Sequence, residues 1–179
     1  TLYPRAAYGD SVLLVLQEDG TDGGSICNLL GQLCSFSLDF IARQKLGGVN
    51  MNLFIQNQLP IIPPSRFEEA LIANSTSTFV RNRILELTFT AWDLKSFARD
   101  CGYNGPPFMW DEERRFLLRC ELDAAFFHLY DIERDDMEYI METFPIVKRH
   151  DERDHGEYRT KRVILEIYDE MATAIETGD

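Results

Sequence analysis

Val163, Ile164, Ile167, Tyr168, Met171 and Ile175 recur at three- and four-residue intervals, which puts them on one side of a helix and on both sides of nothing else. That stripe constrains the fold more than any other feature, because a helix carrying it has to bury it against neighbours of the same kind. Neighbours are at hand. Met137, Ile140, Met141 and Phe144 predict a shorter helix that Pro145 breaks. Residues 111–130 predict a long one, with Asp111, Glu112 and Glu113 at the end where the helix dipole favours negative charge. Its apolar residues, among them Phe116, Leu118, Leu122, Phe126 and Phe127, spread around most of the circumference, as in a helix at the centre of a core. Between the last two helices, residues 145–157 read as a solvated, charged crossing.

The first half is patterned differently. The run VLLVL within residues 11–17, ended by Asp19-Gly20, predicts a buried strand. Thr21 to Ser25 offer caps for one helix carrying Ile26, Leu29, Leu30, Leu33, Phe40 and Ile41, stopped by Gly47-Gly48. Residues 50–56 alternate as a second strand, and Pro60, Pro63 and Pro64 then force the chain out of any central sheet. Short helices follow over 67–72, from a capping cluster at 74–77, and over 91–100; the turn-rich 101–107 is the best internal boundary. The expectation is an α+β fold, predominantly α-helical, with a small strand-bearing N-terminal unit packed on a C-terminal helical unit. Its divisions are 1–64, 65–105 as connecting helices, and 106–179 as an acidic helical tail.

Charge narrows the partners. Residues 1–110 carry 10 acids against 8 bases, a balance of −2, whereas residues 111–179 carry 20 against 10, a balance of −10. Phosphate is repelled least by the first part, and the second suits solvent or a basic partner. No apolar run approaches the roughly 20 residues of a membrane span. The four cysteines lack CxxC spacing and suit a reducing cytosol, so a cytoplasmic location without membrane contact is expected. Thr1 opens the chain without the basic start of a secretory signal, and the sequence reads as excised from something longer.

Catalytic motifs are missing. There is no P-loop, GxGxxG, GxSxG or HExxH. The cluster His150, Asp151, Glu152, Asp154, His155 and Glu157 holds metal-ligand types, but Lys148, Arg149 and Arg153 interleave with it and oppose a cation, so no metal is assigned. Gly105-Pro106-Pro107-Phe108 lacks the polar residue that must directly precede the prolines in amino-methylating DNA enzymes. No catalytic residue is expected in this chain.

Two stretches nevertheless resemble a known family. NLLGQLCSFSLDFIARQKLGGVNMNLFIQNQLPIIPP, residues 28–64, is similar to the end of a target-recognition domain, where a helix running into R-x-K-x-G-G precedes a strand and an L-P-x-x-P exit. WDEERRFLLRCELDAAFFHLYDI and YIMETFPIVKRHDERDHGEYRTKRVILEIYDEM, within residues 110–171, resemble the helical tail behind it. The family is that of large bacterial restriction-modification DNA adenine-N6 methyltransferases, especially the type IIG kind. The resemblance implies an upstream methyltransferase core that binds S-adenosylmethionine, no cofactor in this chain itself, and double-stranded DNA as the partner of the whole enzyme. It also implies contacts to phosphates and base edges from Arg43, Gln44, Lys45, Asn50, Asn52 and Gln56, with Arg81 and Arg83 as further phosphate contacts. The competing expectation is a helical module that braces the parent enzyme and never touches DNA.

Overall fold

A computed structural model describes residues 20–47, 51–69 and 75–177. The first helix, α1 (Gly23–Cys34), starts where Asp22 accepts hydrogen bonds from the Gly24 and Ser25 amides at 2.8 and 3.1 Å. It ends at Ser35, whose extended backbone stops α1 and whose hydroxyl accepts from the Leu38 amide to start α2 (Phe36–Lys45). The single helix expected over residues 26–41 is therefore two, bent by 60°. A serine that satisfies both helix ends at once makes the break inexpensive. No single helix among the described residues is long and apolar enough to cross a membrane.

The α+β expectation is overturned: the described residues form helices and 3-10 turns and contain no β-strand. The strand expected over residues 11–17 lies outside the described residues. In the second expected strand, residues 53–56 form a one-turn helix, α3 (Leu53–Gln56), with Asn52 accepting from the Ile55 amide at 3.0 Å. A strand needs a neighbour to take its amides, whereas Asn52 satisfies a donor locally and asks for none. There is accordingly no strand-bearing unit to pack on the helices among the described residues.

A 3-10 turn at Pro64–Phe67 leads on to α4 (Thr76–Thr88), capped by Ser75, and a second turn at Trp92–Leu94 runs into α5 (Lys95–Asp100). Asp111 caps α6 (Glu112–Leu129), which is followed by α7 (Arg134–Glu142). The charged crossing expected over residues 145–157 is itself mostly helical. Pro145 is the first residue of α8 (Pro145–His155), Gly156 ends it at φ +75°, and α8 buries no side chain fully. Its charge is put to structural use, since the Asp151 carboxylate accepts from the Thr160 amide in the first turn of α9 (Arg159–Thr177).

Two apolar clusters share α6. Leu122, Phe126 and Leu129 face Cys27, Phe67, Val80, Ile84 and Phe89, from α1, α4 and their connections. Cys120, Ala124 and Phe127 face Met137, Met141, Val163, Ile164 and Met171, from α7 and α9. This is what an all-round apolar helix predicts. His128 adds to the α6–α9 contact by stacking on the Tyr168 ring, centroids 3.8 Å apart.

Of the cysteines, Cys34 at the exposed end of α1 is open to solvent, while Cys27, Cys101 and Cys120 are buried, with the Cys27 and Cys101 sulfurs 3.7 Å apart. Burial pushes the Cys120 thiol up to about 12. A thiol-specific chromogenic disulfide should therefore titrate Cys34 alone at neutral pH, and the other three only after denaturant is added. Rapid reaction of more than one thiol in the native protein would contradict this packing.

Candidate functional site

The residues implicated in DNA contact fall into three groups. Gln44 and Lys45 end α2 exposed and without protein partners, as phosphate contacts require. Arg43 is held by Asp39, at 3.0 and 2.8 Å from Nε and Nη2, and its guanidinium lies 4.6 Å from the centre of the Phe144 ring. It remains half exposed, and the Asp39 carboxylate raises its pKa. Asn52 spends its oxygen capping α3, and Gln56, on the same turn, has no side-chain partner. Asn50 lies outside the described residues.

Arg81 and Arg83 are taken up by the packing of α4. The Arg83 Nε donates to Glu121 at 2.6 Å and its guanidinium sits 3.3 Å over Phe79, with burial lowering its pKa. Arg81 is half-buried, its Nε enclosed without a partner, and its charge is felt at the Cys27–Cys101 pair.

A second feature escaped the sequence reading. Arg115, Arg119 and Asp123 lie at four-residue steps on α6, along a groove of about 700 Å³ walled by Leu30, Ile84, Leu87, Phe116 and Phe126 among others. Asp123 is buried, and one of its oxygens accepts from the Phe36 amide, the first of α2, at 2.8 Å. Its other oxygen has no protein partner. Lack of water pushes this carboxyl up to about 7, against the pull of the amide and the Arg119 charge. Arg115 donates from Nη2 to the Leu87 carbonyl at 3.0 Å and lies 3.7 Å over Trp110, yet its Nε is buried and unpartnered. Arg119 is exposed and makes no hydrogen bond or ion pair. The sequence signal was available: an acid between Leu122 and Ala124, on the apolar side of the helix and one turn beyond an arginine.

No protein-family description, curated protein or solved structure matches the chain.

Proposed function

We propose that this chain is the C-terminal, DNA-recognition-associated part of a restriction-modification DNA adenine-N6 methyltransferase. It helps dock target DNA while an upstream core binds S-adenosylmethionine, takes the adenine out of the helix and transfers the methyl group. The observation that carries the reading is the ordered pair of family-like stretches at 28–64 and 110–171, which are packed on each other. Asp123 from the second holds the Phe36 amide of the first, and the Phe36 ring meets Phe144 edge-on at 4.7 Å. Gln44 and Lys45 form the DNA-facing end of α2, with Arg43 steadied beside them by Asp39. The outer helices of the acidic C-terminal part, α7 to α9, face the upstream core and solvent, in a cytoplasmic enzyme.

Fluorescence anisotropy with a labelled target duplex tests this on the enzyme that contains the chain. Gln44→Ala/Lys45→Ala should weaken binding several-fold, and losing one phosphate contact should lower the slope of log affinity against log salt by about one. An unchanged affinity and slope would remove DNA from this surface. It would leave the second reading, a helical brace without DNA contact, which the internal pairing of Arg83 with Glu121 favours.

A further inference from the structure

Among the described residues Arg81, Arg99, Arg115, Arg119 and Arg149 form no ion pair, and of these Arg115 and Arg119 are the two that line the groove along α6. Arg43, Arg66, Arg83, Arg114, Arg134, Arg153, Arg159 and Arg162 all reach carboxylates. Arg115 and Arg119 reach none, although they occupy adjacent turns of α6 where like charges repel. Two acids near Arg115 are taken, Glu86 clamping Arg114 at 2.9 and 3.1 Å and Glu112 accepting from the Trp110 indole at 2.7 Å, and Asp123, one turn from Arg119, makes no ion pair with it. Arg115 is fixed in place by the Leu87 carbonyl and the Trp110 ring while a buried donor stays unused. An enclosed N–H without a partner is destabilising, and a bound acceptor removes that cost.

We propose that the groove along α6 binds an amphipathic anion, its single negative head group on Arg115 and Arg119 and its apolar body against Leu30, Leu87 and Phe116. The volume of about 700 Å³ is that of a site for one small molecule. The charged residues on the α6 side of the groove fix the orientation. Asp123 stands one turn, about 6 Å, beyond Arg119 and two turns, about 12 Å, beyond Arg115, so the anionic head group lies toward the Arg115 end, away from the Asp123 carboxyl. This site is independent of DNA contact by α2, since none of its residues lies among those assigned to DNA.

Two naphthalene dyes of similar size test it on the 179-residue chain: anilinonaphthalene sulfonate, which carries one negative charge, and neutral phenylnaphthylamine. Both should brighten on binding. Arg119→Gln, which breaks no contact within the protein, should weaken the sulfonate, and Arg115→Gln/Arg119→Gln should weaken it about tenfold or more, with the neutral dye unaffected. Dodecanoate should displace the sulfonate where dodecanol at equal concentration does not. Sulfonate affinity unchanged in Arg119→Gln, an equal fall for both dyes, or equal displacement by acid and alcohol would each overturn the proposal.

Discussion

Replacing Asp123 by Asn should stabilise the protein above neutral pH and flatten its dependence on pH. The carboxyl is buried and its pKa is raised from 3.8 to about 7, so the folded state holds a proton that the unfolded chain releases. A raised folded value means that stability is fully present below the unfolded pKa and is lost as pH rises through the folded one, here between about 4 and about 7. Above that window the loss is complete and amounts to about 4 kcal/mol, from roughly three pKa units at 1.36 kcal/mol each. Asparagine keeps an oxygen for the Phe36 amide and carries no charge to desolvate, so about 2–4 kcal/mol should return at alkaline pH and little near pH 5. His128, whose pKa burial lowers, works in the opposite direction, but it is common to both proteins and cancels in their difference. Urea unfolding at about pH 5 and about pH 8 reads the effect directly. Equal stability of the two proteins at the higher pH would mean that Asp123 is solvated. Asp123→Ala is the contrasting variant, because it removes the charge together with the only acceptor of the Phe36 amide and forfeits about 1–3 kcal/mol of the gain.

That prediction turns on a residue whose role is long-range, and the same distinction separates what the sequence revealed from what it concealed. The capping cluster that holds Ser75, the acidic start of α6, the two-sided core of α6 and the α9 stripe as far as Met171 depend on neighbours within a turn or two and were legible, whereas Ile175 at the end of that stripe is exposed. Residues 53–56 were misread because an alternating stretch of seven residues fits a strand as well as a short helix, and only the presence of a partner strand decides. The α8 helix was misread as a bare crossing because it carries charge on most positions and no stripe, its existence resting on Pro145 at one end and Gly156 at the other. At the candidate site, the partner of Arg43 sits four residues away and could be foreseen. Glu121, which occupies Arg83, is 38 residues distant and could not. Asp123 is buried by α2, 87 residues before it in the chain, and that approach appears in no local pattern.

The second large effect concerns the crossing of α1 over α6. Phe126 is fully buried, meets Phe67 edge-on at 6.3 Å, and lies so close to Gly31 that a Cβ there would stand 2.8 and 2.9 Å from its Cε2 and Cζ atoms. Phe126→Ala should cost about 3–5 kcal/mol, a large share of the roughly 5–15 kcal/mol that holds an ordinary domain together. At about 2–4 °C per kcal/mol for a chain of this size, the melting temperature falls by about 6–20 °C. The glycine shows whether contact with the ring, or merely burial of it, sets that cost. Gly31→Ala in the natural background pits a helix-propensity gain of about 1 kcal/mol against an overpacking cost of about 1–3 kcal/mol, so a net loss is expected. In a Phe126→Leu background the two ring atoms are gone, leaving only the Val80 Cγ1 at 3.3 Å to crowd the new methyl group. There Gly31→Ala should become neutral or stabilising, a coupling of at least about 1 kcal/mol between the positions. Strictly additive melting shifts across that cycle would mean that α1 and α6 are farther apart than the packing of Gly31 on Phe126 requires.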